Sequence, residues 1–155
     1  MADYLVFRTD SLSVALHVSF VERVLRAARV TPLPTAPAIV MGVINLHGEI
    51  LPVVSLRKRF NLPDRDIGLG DPFLVARTSR RRLILTADSV VGVADYAPAD
   101  IAAMDDVLPG LEHVHGVVKA RDGIVFIHDL EQFLSLDEET GLAMAMAASA
   151  KQEAT

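Results

Sequence analysis

Short β-forming runs separated by turn residues recur along the whole chain, and this rhythm constrains the fold more than any other feature. Residues 4–9 precede the pair Asp10-Ser11, and apolar residues then occupy every second position from Leu12 to Val18, which predicts a hairpin. About ten such runs follow one another at residues 4–9, 12–18, 21–29, 42–46, 50–55, 73–78, 83–86, 90–94, 114–119 and 124–127. Their number and close spacing predict a barrel or a sandwich.

Helices are expected to be few. Residues 56–60, 129–134 and 137–150 fit short helices, with Asp137 as a possible N-cap, while residues 21–29 fit either a strand or one helical turn. Prolines limit residues 38–41 to a short helix at most. The Gly- and Pro-containing residues 61–71 read as a linker between two halves, and no exact repeat is visible. We therefore expect a mainly β chain, residues 1–155, with two small barrels at about residues 1–62 and 63–136 and a helical tail, residues 137–155.

Composition excludes several classes of function. The net charge of −5 argues against nucleic acid as a partner, although residues 1–62 carry +3 and residues 63–155 carry −8. No cysteine is present, so disulfides and thiolate metal sites are excluded. The acidic start does not fit a signal peptide, and the longest apolar run, residues 36–44, is too short for a membrane span. A cytoplasmic protein without direct membrane insertion is expected.

The residues offer little support for catalysis. His113 and His115 are two apart and could share a metal on one strand face, but no carboxylate stands at a ligand spacing, and solvated or core histidines are the simpler interpretation. The same interpretation applies to the other histidines, His17, His47 and His128. No nucleotide, nucleophile-elbow or paired-carboxylate motif occurs, and the basic runs at residues 57–59 and 80–82 lack aromatic neighbours. We therefore expect a binding module with no cofactor.

One continuous segment carries a family resemblance. Residues 37–57, PAIVMGVINLHGEILPVVSLR, resemble the signature of CheW-like domains, in which a proline precedes a GV-N-L-R-G-x-I-x-P-V-x-D-L-R run. Further segments are similar to the family's first strand, its V-x-E-V segment, its V-D-x-V motif and its closing strand and helix, at residues 4–7, 21–24, 88–93, 116–117 and 127–134. The resemblance covers nearly the whole chain up to about residue 137.

The resemblance implies two five-stranded SH3-like barrels packed together. It also implies a non-enzymatic adaptor that couples the cytoplasmic tip of a methyl-accepting chemoreceptor to the regulatory domain of a CheA-type histidine kinase within a receptor array. A helix-in-groove mode would then use exposed apolar residues between the barrels. The alternative is that these apolar residues fill the core.

The candidate contact residues form two groups. The receptor-facing group comprises Val21, Arg23, Val24, Ile39, Val43, Ile44, Asn45 and His47, although Asn45 also fits a plain turn role. The kinase-facing group comprises Arg57, Leu85, Asp88, Val91, Gly116 and Val117, and Arg57 could instead bond within the first barrel.

Three departures from the family pattern change charge. Arg23 replaces the glutamate of V-x-E-V, His47 replaces the arginine before the glycine, and Ser55 replaces the aspartate of P-V-x-D-L-R. A reversed charge rejects the usual partner unless that partner has changed too. The alternative function is therefore a divergent module that binds only a kinase, a response regulator or another CheW-like protein and acts as an inhibitor or competitor. A metal-dependent enzyme built on His113 and His115 is a third hypothesis.

Overall fold

The computed structural model describes residues 2–103, 114–120 and 123–153. Eleven strands and two helices occur in these ranges, together with single 3-10 turns at Val18–Phe20, Pro98–Asp100 and Leu130–Gln132. The strands are β1 Ala2–Thr9, β2 Leu12–His17, β3 Val21–Arg26, β4 Val40–Leu46, β5 Glu49–Val54, β6 Pro72–Arg77, β7 Arg82–Thr86, β8 Ser89–Tyr96, β9 Ile101–Ala103, β10 Val114–Ala120 and β11 Gly123–His128. The helices are α1 Leu56–Arg59 and α2 Leu136–Glu153.

The strands form two sheets. The central sheet has the order β3-β6-β7-β5-β4, and the terminal sheet has the order β8-β1-β2-β11-β10-β9. The mainly β prediction is confirmed, with β9 as a strand beyond the expected ten. The predicted hairpin at the N-terminus is the β1–β2 pair, and the first part of the 21–29 segment, Val21–Arg26, forms strand β3 rather than a helical turn.

The two sheets do not correspond to the two expected halves of the chain, residues 1–62 and 63–136. The chain starts in the terminal sheet, forms the whole central sheet between residues 21 and 86, and then returns. The reason is the parallel pair of β2 with β11, in which Ala15 lies opposite Ile127. Strands so distant in sequence meet only in the folded chain, so local patterning cannot assign them to one sheet.

Buried side chains divide into three clusters. The central core lies within the central sheet and contains Ile44, Leu51, Val53, Phe73, Val75 and Ile84. The terminal core lies within the terminal sheet and contains Val6, Ala15, Val118, Val125 and Ile127. The intersheet core is the largest and takes residues from both sheets and from α2, among them Phe7, Leu16, Ile39, Leu56, Leu74, Leu85, Phe133 and Leu142. Packing through the intersheet core makes the two sheets one unit.

The two sheets repeat one plan. Gly42 on β4 and Gly116 on β10 are 74 positions apart, and each lies at a register shift against the next strand. A Cβ atom at Gly116 would lie 2.7 Å from Ile101 Cγ2, and one at Gly42 would overlap the Thr31 carbonyl oxygen. Each glycine therefore lets a neighbouring segment cross its strand closely. This structural correspondence between the two sheets is not visible as an exact repeat in the amino-acid sequence.

The C-terminal helix α2 packs on the body of the protein. Leu142 and Ala145 are buried in the intersheet core, and Arg59 and Arg81 pair with Glu138 and Glu139 in the first turns of α2. The predicted N-cap residue was wrong. Ser135 caps the helix instead, since its Oγ accepts the Glu138 N–H at 3.1 Å and its own N–H donates to the Glu138 carboxylate at 2.9 Å.

Candidate docking surfaces

The tight turn between β4 and β5 contains two of the receptor-facing candidates. His47 and Gly48 both have positive φ, 51° and 89°, as a two-residue hairpin turn requires. Asn45 Oδ1 accepts the Gly48 N–H at 2.8 Å, so Asn45 has a structural role in the turn. Both Asn45 and His47 are nevertheless exposed.

Strand β3 brings further candidates to the surface. Arg23 is exposed and Val24 is 43% exposed, while Val21 is half-buried against the intersheet core. Val43 on β4 is also half-buried against that core. These residues keep some apolar and cationic surface at the edges of the central sheet.

An ion-pair network brings β3 and the β4–β5 turn together. Arg82 on β7 donates to Glu22 beside Arg23, with Nη2 and Oε2 2.7 Å apart, and it also pairs with Glu49 beside the turn. The hydrogen bond from Arg82 lowers the pKa of Glu22 more than burial raises it. The exposed receptor-facing candidates therefore share one end of the central sheet.

Three candidates have buried side chains, which do not reach a partner. Ile39 and Leu85 lie in the intersheet core, and Ile44 lies in the central core. The prediction of a surface role for these three does not fit the structure. In an uninterrupted apolar run, sequence alone does not distinguish the inward from the outward face.

Arg57 and Asp88 pair with each other inside the molecule. Arg57 Nη2 lies 2.7 Å from Asp88 Oδ2, and Arg57 Nη1 donates to the Pro63 carbonyl at 2.9 Å. The Asp88 carboxylate also accepts the Asp10 N–H at 2.7 Å and an Arg65 N–H at 2.8 Å. Burial raises the pKa of Asp88, but these hydrogen bonds and the two guanidinium charges outweigh it, so its pKa lies below the ordinary value. This network links α1 to the β1–β2 and β7–β8 connections.

The remaining kinase-facing candidates belong to the terminal sheet. Val91 on β8 is 63% exposed, Val117 on β10 is half-buried, and Gly116 is buried beneath β9. Val93 and Ile124 are also more than half exposed, and the sequence analysis missed both. Val93 lies two positions after Val91 in β8, so the alternation of strand residues would have placed both valines on the same face. Val91, Val93 and Ile124 line a cavity of about 260 Å³, together with residues of β1.

The departure at Ser55 has a local explanation. Ser55 is 5% exposed, and its Oγ accepts the Lys58 N–H at 3.2 Å, which caps α1. Serine and aspartate are both good N-cap residues. Two of the three changed positions, Arg23 and His47, therefore remain as surface changes.

The histidines do not converge on a site within the described ranges. His17 stacks edge-on against Tyr4, and His128 is buried beside Phe60 and Phe133. His115 is exposed, while His113 lies outside the described residues. In residues 2–103, 114–120 and 123–153, no group of three potential ligands could hold a metal ion.

Comparison with known proteins identifies the family. The model of the CheW-like domain matches residues 3–138. The chain belongs to the CheW-like family. CheW-like proteins are non-enzymatic scaffolds, and this chain is an adaptor of that kind.

Several relatives match over most of their length. The chain is 30% identical to the chemotaxis protein CheW of Treponema pallidum over 129 residues, covering 79% of this chain and 76% of the relative. It is 34% identical to the chemotaxis protein CheW of Thermotoga maritima over 134 residues, covering 85% and 87%. It is also 34% identical to the protein FrzA of Myxococcus xanthus over 121 residues, covering 76% and 74%.

A solved structure shares the fold. The crystal structure of the scaffolding protein TtCheW from Thermoanaerobacter tengcongensis matches with a TM-score of 0.80 at 24% identity, covering 88% of this chain and 94% of that one. Among the described residues of the CheW-like chain, no helix has the length and apolarity needed to cross a bilayer.

Proposed function

We propose that this CheW-like protein works in the cytoplasm and couples the tip of a chemoreceptor to the regulatory domain of a CheA-type histidine kinase. The observation that carries the proposal is the network around Arg82, which brings β3 and the β4–β5 turn to one end of the central sheet. This end combines exposed Arg23, Val24, Asn45 and His47. The chemotaxis names of the relatives support the partners, and the proposed link to receptor arrays runs through them.

The proposed receptor surface suits an amphipathic helix. Val24 is exposed, and Val21 and Val43 are half-buried against the intersheet core, so the apolar anchors of a receptor helix would find apolar contacts on this sheet. Arg23 and His47 supply polar and cationic groups at the rim. Such rim charges act mainly on partner choice and association rate.

The proposed kinase surface lies on the other sheet. Val91 and Val117 belong to β8 and β10 of the terminal sheet, whereas the receptor surface belongs to the central sheet. Separate surfaces allow both partners to bind at once, as coupling requires. Arg57 and Asp88 support this surface indirectly, because their network holds the β7–β8 connection from which β8 starts.

Calorimetric titration tests the proposal with two probes, the regulatory domain of the kinase encoded nearest to this protein and the tip fragment of the receptor encoded with it. Micromolar binding to each, separately and together, is expected. Val24→Glu should weaken receptor binding at least about tenfold and spare kinase binding, and Val91→Glu should do the reverse, since each places a charge in an apolar contact. Leu69→Glu, at a residue 92% exposed in the 61–71 segment, is the matched control. No binding to either probe would overturn the proposal.

A second candidate function follows from Arg23 and His47. Their charge differs from the family pattern at the proposed receptor surface, which favours a module that binds a kinase, a response regulator or another CheW-like protein and competes with the coupling adaptor. Kinase binding without receptor binding in the same titration would select this function.

A further inference from the structure

A cavity of about 580 Å³ opens beside the Asp88 network, at the end of β1. Its wall combines the start of β4, the short helix α1, the 61–71 segment and the β7–β8 connection. The volume lies within the range of roughly 300 to 1,000 Å³ that small-molecule sites occupy in proteins. Of the candidate partner-facing residues, only Arg57 and Asp88 line it, and these two pair with each other. The cavity is therefore separate from the proposed receptor and kinase surfaces.

Thr9 brings a buried hydroxyl group to the wall of this cavity. Thr9 is 1% exposed, and its Oγ1 makes no hydrogen bond with a residue in the described ranges. Because side chains alternate along a strand, Thr9 lies on the same face of β1 as Leu5 and Phe7, which belong to the intersheet core. The Thr9 hydroxyl therefore lies where the intersheet core meets the cavity. A buried hydroxyl without a partner is unfavourable, so a ligand that bonds to it gains a favourable interaction.

Two of the four carboxylates in the cavity wall are already neutralised. Asp88 pairs with Arg57 and Arg65, and Asp71 Oδ2 lies 2.9 Å from Arg65 Nη2. Asp71 Oδ2 also accepts the Gly68 N–H at 2.8 Å. These pairs hold the wall together and leave little charge for a ligand.

The other three charged groups in the wall remain available. Lys58 Nζ lies 3.5 Å from Asp64 Oδ2, and these side chains are 41% and 72% exposed, so the pair contributes little. Asp66 makes no ion pair or hydrogen bond with a described residue. The cavity thus offers one cationic and two anionic side chains to an occupant.

Apolar side chains form much of the remaining wall. Val40 and Ala87 are buried, and Met41 and Ile67 are half-buried. A mainly apolar wall with a few polar groups at defined places is the usual composition of a site for a small organic molecule. The occupant should therefore combine an aliphatic group with both signs of charge.

We propose that this cavity binds a small aliphatic zwitterion, an amino acid or a dipeptide. Lys58 would face its carboxylate, Asp64 and Asp66 would face its ammonium group, and the Thr9 hydroxyl would bond to its polar backbone. A ligand with a single charge uses only part of this wall, which is why a zwitterion is the class that fits. The inference goes beyond the proposed function and does not depend on it.

Calorimetric and ¹H–¹⁵N NMR titrations of the full chain with L-leucine and the dipeptide Gly-Leu test the proposal. At least one of them should bind with a dissociation constant below about 1 mM, and the largest chemical-shift changes should fall on residues that line the cavity. Isocaproate lacks the ammonium group and isoamylamine lacks the carboxylate, so each should bind at least about tenfold more weakly. No binding of either zwitterion up to about 10 mM, or equal binding of either analogue, would overturn the proposal.

Thr9→Val separates the role of the hydroxyl in the ligand site from a role in the fold, because it removes the hydroxyl and keeps the branched shape. Without ligand, the variant should unfold at the same or a higher urea concentration than wild type, since no hydrogen bond to a described residue is lost. Its affinity for the zwitterion should fall about threefold to tenfold. Unchanged affinity would place the ligand elsewhere and overturn the assignment of this cavity.

The charged groups provide a second set of variants. Lys58→Gln and Asp66→Asn should each weaken zwitterion binding at least about threefold, because each removes the charge opposite one end of the ligand. Arg80→Gln and Asp95→Asn remove exposed charges outside the cavity and should bind as wild type does. Equal affinity in all four variants would contradict the proposed charge recognition. The kinase and receptor titrations use neither ligand, so each proposal stands or fails separately.

Discussion

The Arg57 guanidinium donates to the Asp88 carboxylate over 2.7 Å, and this pair links the short helix after β5 to the connection before β8. Arg57 is the arginine that the signature shares with CheW-like domains, and its side chain is only 12% exposed. Its primary role in this chain is therefore within the fold. The proposed partner surfaces are built around that framework.

The Asp88 network makes the stability of the fold depend on pH. Because the pKa of Asp88 is lowered in the folded state, its contribution is complete above the ordinary aspartate range near about pH 4 and is lost as pH falls through the folded value. Asp88→Asn should cost about 2 kcal/mol in the free energy of unfolding at pH 7, measured with urea. The cost should shrink at lower pH. An equal cost at every pH would show that Asp88 acts through packing alone.

Gly42→Ala should destabilise the fold by about 3 kcal/mol, because a Cβ atom would overlap the Thr31 backbone and φ is 154°. Chemical unfolding measures this loss. Gly70→Ala is the matched control, since no atom lies within 4 Å of its added Cβ. Similar stabilities of the two variants would contradict the close crossing of residue 31 over β4.

Ser55→Ala should lose about 1 kcal/mol, because the N-cap hydrogen bond to the Lys58 N–H disappears. Ser55→Asp, which restores the residue of the family pattern, should stay within about 0.5 kcal/mol of wild type, since aspartate caps equally well. Thermal unfolding of the three proteins gives the comparison. A large loss in Ser55→Asp would mean that burial of the carboxylate outweighs the cap.

The packing of α2 predicts a contrast between two residues of one helix. Leu142 is fully buried in the intersheet core, and Met144 is 69% exposed. Leu142→Ala should cost about 3 kcal/mol, and Met144→Ala should change stability by less than about 0.5 kcal/mol. Urea unfolding with hydrogen exchange across α2 checks both. Equal small effects would show that the helix does not depend on this contact.

The strand-rich class, the N-terminal hairpin and the family were predicted from local patterns, because period-two alternation, turn residues and the residue 37–57 signature are short-range features. The exposed candidates Val24, Asn45, His47 and Val91 were also within reach of the sequence. The buried positions of Ile39, Ile44 and Leu85 were not, since an apolar run looks alike on its inner and outer faces.

Some features of this protein follow from its local sequence, and others depend on its tertiary packing. The amino-acid sequence by itself determined which segments form strands and turns, where charges lie along the chain, and to which family the chain belongs. Only the tertiary structure decided that β2 pairs with β11, that Arg57 meets Asp88, and that Asp95 faces Asp3. The physical reason is that such contacts join residues far apart in sequence, whose pairing depends on packing of the whole chain rather than on local conformational preference.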